Sequence, residues 1–399
     1  MLIAHRIALD PTDKQRTYFA RASGVARFAW NWALAEWQGQ YVARKDDPSL
    51  PQPSDAGLRR QLNSLKREQF PWMFDVTKCA PQEAIIDLGG AFRSFFEKRG
   101  RYPRFKKKGG RDSFCAANEA GTFRVDGKRI KLPVVGWVRM REAVRFTGKL
   151  KRVTVSREAD RWFASIMVET DDIKPVEQPK EAVGVDLGVT TLATLSDGDP
   201  VPGPKAHKAL LDRLRRTSRS LSRKRKGSAN RRKAKAKLAR LHSRIAAVRR
   251  DATHKATTML AKTYRRIGIE DLNVRGMARN RHLARSIMDG GFFEFRRQLD
   301  YKARFYGATV VVADRWFPSS KTCSCCGSVK AELALSQRTF HCDACGHEID
   351  RDLKAARNLE HLAASSAVSA CGEERSGAVR KPRVKRASAK QEPNSSLAA

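Results

Sequence analysis

Two kinds of side-chain chemistry meet in the segment HCDACGHEIDRDLKAARN, residues 341–358. Cys342 and Cys345 have metal-ligand spacing, and Asp350 and Asp352 follow at the mouth of an expected helix. Cys323 and Cys326 repeat the CxxC spacing, with fifteen residues between the two pairs. Each CxxC sets two thiolates on one tight turn, and two such turns close a tetrahedron around zinc. Four thiolates fill that shell and leave no open position, so the expected zinc is structural. Cys325 is out of register with both pairs. His341 and His347 flank a ligand set that Cys323, Cys326, Cys342 and Cys345 already complete.

Three carboxylates suggest a second centre. Asp186 lies in the apolar strand GVDLGV, where an unpaired carboxylate is costly. Glu270 ends the strand IGIEDL, and Asp352 starts the helix after the last cysteine pair. Each has a bland reading: a satisfied turn residue, a strand-end cap shared with Asp271, a helix N-cap. Their order favours chemistry. A strand Asp, a later strand Glu and a final helix Asp are how an RNase H-like fold builds a divalent-metal site, with two hard cations about 4 Å apart. Mg²⁺ suits such oxygen ligands and keeps waters. The expected reaction is in-line phosphodiester hydrolysis, one ion activating water and the other stabilising the leaving oxygen.

The rest of the chain must position these groups and hold the substrate. Its 399 residues allow two or more domains. Lys and Arg number 80 against 42 Asp and Glu, a net charge of +38. Such an excess repels itself unless a polyanion neutralises it, and nucleic acid fits best. No apolar stretch reaches spanning length and the N-terminus lacks a signal-peptide core, so the expectation is a soluble, cytoplasmic protein with no membrane partner. The eight cysteines suit a reduced compartment better than a disulfide framework.

LIAHRIAL alternates as a strand. Asp10 and Pro11 then read as the N-cap and first turn of a helix. Residues 11–100 read as helices anchored by Phe19, Phe28, Trp30, Trp32, Trp37, Phe92, Phe95 and Phe96, more as core than as base-stacking groups. RGRYPRFKKKGGRDSF interleaves basic residues with Tyr102, Phe105 and Phe114, a phosphate-tracking loop or a solvated charge run. Beyond about 120 the period falls to two. TFRVDGKRIKLP turns at Asp126-Gly127, and KRVTVSREADRWFASIMVE sets Trp162, Ala164, Ile166 and Val168 on one face. A small barrel joined by the first strand is expected.

After the linker TDDIKPVEQPKE, AVGVDLGVTTLATLSDG reads as a hairpin. Between Lys205 and Arg266 stand 23 Lys and Arg against two acids. Leu238, Leu241, Ile245, Val248, Ala252 and Met259 give that stretch an apolar helical stripe. YRRIGIEDL reads as a strand, GGFFEFRRQLDYKARFYG as a helix and ATVVVADR as a buried strand. The tail 366–399, rich in Ser, Lys and Arg, is expected to be disordered.

Taken together, these motifs resemble the TnpB (OrfB) proteins of bacterial insertion sequences, relatives of type V CRISPR effectors. The likeness covers about residues 3–360. It is carried by RIALDPTDKQRTYFARASGVARFAWNWAL, AFRSFFEKRGRYPRFKKKGGRDSF, GVDLGV, IEDLNVRGMARNRHLARSIMDGGFFEFRRQLDYKARFYG, FPSSKTCSCCG and CGHEIDRDLKAARNL. The resemblance implies an α+β / α/β multidomain fold. A wedge β-barrel (1–10 and 101–172) takes a helical recognition insertion (11–100), whose start is helix-turn-helix-like. An RNase H-like RuvC domain (180–318 and 350–364) carries a zinc ribbon (319–349). The implied activity is RNA-guided DNA cleavage, with guide RNA and target DNA as partners, one structural Zn²⁺, catalytic Mg²⁺ and a monomeric protein. The guide rests on the resemblance alone; composition shows only that some polyanion binds. The resemblance makes Asp186, Glu270 and Asp352 the catalytic acids. In the family pattern DRDxNAA the acid two residues before Asn is the ligand, here Asp352 and not Asp350. Lys354 replaces that Asn and could compete with a cation. A transposase of the same element and a non-cutting regulator are the rival readings.

Overall fold

The structure is a computed structural model that describes residues 1–119, 121–171, 173–334 and 337–370, with side chains as far as residue 365. The expected tail lies almost wholly outside the described residues. Only its first five positions are seen, and they continue the last helix to Ala370.

The N-terminal half is built on a seven-stranded antiparallel sheet. Its strands are Leu2–Asp10 (β1), Ser113–Ala117 (β2), Arg124–Asp126 (β3), Arg129–Leu132 (β4), Gly136–Met140 (β5), Lys149–Glu158 (β6) and Arg161–Glu169 (β7). They run in the order β2-β6-β7-β1-β5-β4-β3. The alternation of β1 and β7 is used as expected: Trp162, Ala164, Ile166 and Val168 are all buried. The expected closed barrel is not found. β2 and β3 end the sheet, and among the described residues no ladder joins them. β3 and β4 are three and four residues long, and helices pack against β2.

Those helices are Asp13–Asp46 (α1), Asp55–Leu65 (α2) and Cys79–Phe96 (α3). α1 does not start at Asp10, because Asp10 is still paired in β1 opposite Arg139. Thr12 caps it in a reciprocal capping box with Gln15. Phe19, Trp30 and Phe92 are buried, and Trp37 stacks on Phe92 at 4.2 Å, so the core reading of these aromatics holds. Phe96 is 61% exposed and departs from it. The basic loop is tethered to α1: Trp30 Nε1 donates to Arg104 O, and Lys106 Nζ lies 3.5 Å over the Trp30 ring. Tyr102 and Phe105 are exposed there, whereas Phe114 is core.

The C-terminal half holds a five-stranded sheet made of Lys180–Asp186 (β8), Ala193–Leu195 (β9), Pro200–Val201 (β10), Tyr264–Glu270 (β11) and Thr309–Ala313 (β12). The order is β10-β9-β8-β11-β12, with β8, β11 and β12 parallel and β9 antiparallel to β8. The crossover from β8 to β11 contains Ala206–Ala209 (α4), Leu211–Ser222 (α5) and the 35-residue helix Ala229–Thr263 (α6). Val274–Met277 (α7), Ala284–Gly290 (α8) and Phe292–Tyr306 (α9) lead back to β12. A hairpin of Thr339–His341 (β13) and Glu348–Asp350 (β14) precedes the last helix, Arg351–Ala370 (α10).

Two expectations change here. β12 is an edge strand, with Val312 37% exposed, and is not fully buried. On α6, Val248 and Met259 face solvent, and the buried stripe is Leu241, Ile245, Thr253, Ala256, Thr257 and Leu260. The threonines escape a hydrophobicity reading. Their hydroxyls bond back to Arg249 O and Thr253 O, so they bury without a polar penalty.

α9 packs on α6 around Lys302, which is 6% exposed. Its Nζ donates to His254 O, Thr257 Oγ1 and Thr258 Oγ1 at 2.7–2.8 Å. With no carboxylate beside it, burial pushes the amine down to about 8. Between that value and the usual lysine range the unfolded chain binds the extra proton. Stability therefore rises with pH over this window. Relative to Lys302→Met, the wild type should gain roughly 2 kcal/mol from pH 8 to 10.5, measured by urea melts of both proteins. A constant difference would contradict this account of the amine.

Candidate active site and cysteine centre

Asp186 and Glu270 are the C-terminal residues of neighbouring parallel strands. β8 and β11 pair with Val185 opposite Ile269, which brings the two carboxylates side by side at one sheet end. Both strands carry a glycine two residues earlier, and packing explains it. A Cβ on Gly184 would overlap Ala356 O, and one on Gly268 would overlap Leu359 O. The glycines therefore let α10 cross directly on the strands. Asp352 stands one turn before Ala356 on that helix, above the same strand ends.

Asp186 senses the other two acids. Burial, then the Glu270 and Asp352 charges, push Asp186 up to about 8. A divalent cation would relieve that repulsion, which is the chemical fit of this donor set to a hard metal ion.

The neighbouring acids are already committed. Asp350 is the cap of α10: its Oδ1 accepts from the Asp352 and Leu353 amides at 3.0 and 2.9 Å. Asp271 is clamped by Arg296 at 2.5 Å and Arg315 at 2.7 Å. Those two arginine pairs hold its carboxyl below the usual range. Thus Asp352 and Glu270 are the members of each acidic pair left to face Asp186. Asp352 has one ion-pair neighbour among the described residues, Arg338, at 3.6 Å.

The four expected cysteines also converge. Their sulfurs all lie within 4.8 Å of one another, with Cys323–Cys345 at 3.7 Å and Cys326–Cys342 at 3.6 Å. A tetrahedron with zinc–sulfur bonds of about 2.3 Å has edges of about 3.8 Å, so the cluster is compatible with zinc. Cys325 points away from the set, exposed, with only its amide near Cys323 Sγ. His341 and His347 are not in it.

Sequence reasoning missed the groups that join the two centres. Ser319 Oγ donates to Glu270 Oε1, and Asn358 Nδ2 donates to Ser319 O and Thr322 O at 2.7 and 2.8 Å. Single Ser and Asn residues give no periodic or spacing signal, so the sequence offers no handle on them.

Comparison with known proteins places the chain in a family. Three family models match: a helix-turn-helix domain over residues 1–46, the OrfB "Probable transposase" model over 165–281, and the "Cas12f1-like, TNB domain" model over 292–359. A Streptomyces pristinaespiralis protein named "Putative RNA-guided DNA endonuclease" is 40% identical, across 99% of this chain and 97% of its own length. The chain belongs to the TnpB (OrfB) family. An Escherichia coli K12 relative, named an RNA-guided DNA endonuclease with the same qualifier, is 36% identical over 93% of this chain and 94% of its own. The fold is similar to a Cas12f1–sgRNA–target DNA complex solved by cryo-EM, with a TM-score of 0.56 at 13% identity, covering 88% of this chain and 83% of that one.

Against the TnpB pattern, the departure at Lys354 resolves structurally. The side chain is fully buried and turned towards the cysteine centre. Its Nζ donates to Ser320 O at 2.6 Å and sits 3.3 Å from the Phe340 ring centroid. A competing cation in the carboxylate site is therefore not what Lys354 supplies.

Proposed function

We propose that this TnpB-family protein is an RNA-guided DNA endonuclease that hydrolyses DNA phosphodiesters at Asp186, Glu270 and Asp352. The observation that carries the reading is the meeting of these three acids at one sheet end, where burial and the Glu270 and Asp352 charges raise Asp186. Mg²⁺ bound there supplies the Lewis acid and the polarised water of the reaction. Asp186 and Glu270 hold it from the strands and Asp352 from the helix, which fixes the ligands on three rigid elements. Cys323, Cys326, Cys342 and Cys345 hold a structural zinc.

In this reading the sheet of β1–β7 is the wedge, residues 11–100 are the recognition insertion, and β8–β12 with α10 form the RuvC-like unit interrupted by the ribbon at 319–349. The basic flank of α6 supports a nucleic-acid track. Beside it a cavity of about 880 Å³ is lined by Arg161, Arg213, Lys237, Arg244 and Arg250. Arg161, Arg213, Lys237 and Arg244 have no ion-pair partner among the described residues, while Glu158 and Asp160 are paired with Arg6 and Arg240 and Arg250 adds its charge near Glu158. A guide RNA neutralises such charge, and base pairing then carries the sequence information.

The name of the matching OrfB model favours a second reading, strand transfer by a transposase. Purified protein should carry a defined RNA, found by sequencing its bound nucleic acid, and with Mg²⁺ should release cut DNA and no joined strands. Bound DNA without RNA, or joined element ends, would overturn the nuclease reading.

A further inference from the structure

We propose that Ser319 is a positioning residue for Glu270, and that the turn 318–322 transmits the order of the cysteine centre to the carboxylate site. The inference rests on Glu270 being a metal ligand. Glu270 has a flexible side chain at a strand end, partly exposed. Ser319 is 3% exposed, and its hydroxyl takes one glutamate oxygen, Oε1, leaving Oε2 for a cation. Partners of this kind orient a ligating carboxylate and set its affinity.

The turn that presents Ser319 is held almost completely. Pro318 O accepts from the Lys321 and Thr322 amides, both at 2.9 Å. Ser319 O and Thr322 O share Asn358 Nδ2, and Ser320 O takes Lys354 Nζ. Lys354 and Asn358 stand four residues apart, on one face of α10. The same turn runs straight into Cys323, which is buried with Cys342 against Phe340. Lys354 covers the Phe340 ring as well, so one side chain of α10 grips both halves of the ribbon. Asp352 rides on that helix. A path of direct contacts therefore leads from the cysteine cluster through Thr322 and Ser319 to Glu270. A second leads through Phe340 and Lys354 to the helix of Asp352.

A buried serine that merely satisfies its own hydroxyl would affect folding and nothing else. The two roles separate in metal dependence. In the purified nucleoprotein, Ser319→Ala should raise the Mg²⁺ concentration for half-maximal cleavage about tenfold or more. Mn²⁺ affinity read by electron paramagnetic resonance should fall by the same factor. Cleavage should largely recover at saturating metal, with zinc content, RNA binding and melting temperature unchanged. Ser319→Thr, which keeps the hydroxyl, should restore the wild-type metal dependence. The proposal is overturned by unchanged metal dependence in Ser319→Ala. It is equally overturned if loss of cleavage comes with loss of zinc or RNA, or if Thr behaves as Ala does. Glu270→Gln separates the two levels. If it cuts at the wild-type rate, the site reading itself fails; if it is dead while Ser319→Ala matches wild type, only the positioning role fails.

Discussion

Asp186→Asn should lower the rate of DNA cleavage by about 10³-fold or more, while guide and target binding change by less than about twofold. Asn keeps the shape of the side chain and its place at the end of β8. It removes the carboxylate oxygen that would hold a bound cation, so the loss falls on the chemistry and not on recognition by the basic surfaces. A second signature has the opposite sign. Burial and the Glu270 and Asp352 charges raise Asp186 to about 8 in the folded protein. Its folded value lies above the unfolded one, so between about 4 and 8 the folded state holds the extra proton, and stability falls as pH rises through that window. In Mg²⁺-free buffer without chelator, which leaves zinc in place, the wild type should therefore melt lower at pH 8 than at pH 5 relative to Asp186→Asn, and Mg²⁺ should remove the difference. Loss of binding along with cleavage, or a variant less stable at both pH values, would speak for a structural aspartate.

Cys342→Ser should empty the cysteine centre and reduce cleavage at least tenfold without touching a carboxylate. Cys342 is 2% exposed and packs with Cys323 and Phe340 in the small core of the ribbon. Among the described residues that core holds only Leu333 and Ile349 besides, little apolar surface to fold a segment of this size by itself. Structural zinc contributes on the order of 10 kcal/mol to such units, so the thiolate set is what keeps the ribbon folded. Without it, β14 and the start of α10 lose their support, and Asp350 caps a helix whose first turn carries Asp352. Zinc by inductively coupled plasma spectrometry should fall from about one per chain to near zero, in step with activity. Full cleavage with no zinc would cut the link between ribbon and active site.

Much of this site is legible in the sequence because its groups sit where local rules speak. The CxxC pairs announce their turns, and acids at the ends of apolar strands stand out against their context. Glycines two residues before Asp186 and Glu270 mark the close crossing of α10, although their reason appears only with the helix in place. What local rules cannot show is long-range partnering. The choice between Asp350 and Asp352 comes from the family pattern; what the structure adds is that Asp350 Oδ1 caps the helix with two amide hydrogen bonds. Lys354 reads as a threat to the metal site, because sequence distance from Asp352 is short. In space its amine lies against Ser320 and Phe340. Ser319 gives no signal at all. Sheet closure is long-range for the same reason: strand count suggests a barrel, but β2 pairs only with β6 among the described residues and leaves the sheet open.

The central claim is that an RNA held by this protein directs hydrolysis at the Asp186–Glu270–Asp352 site. The direct measurement is to purify the protein with its RNA, replace the guide segment with a new sequence, and offer labelled duplexes matching the old or the new guide with Mg²⁺. The account predicts that cutting moves to the new match, leaves free ends and disappears in Asp186→Asn. Cutting that ignores the guide, persists in Asp186→Asn or yields joined strands would contradict it.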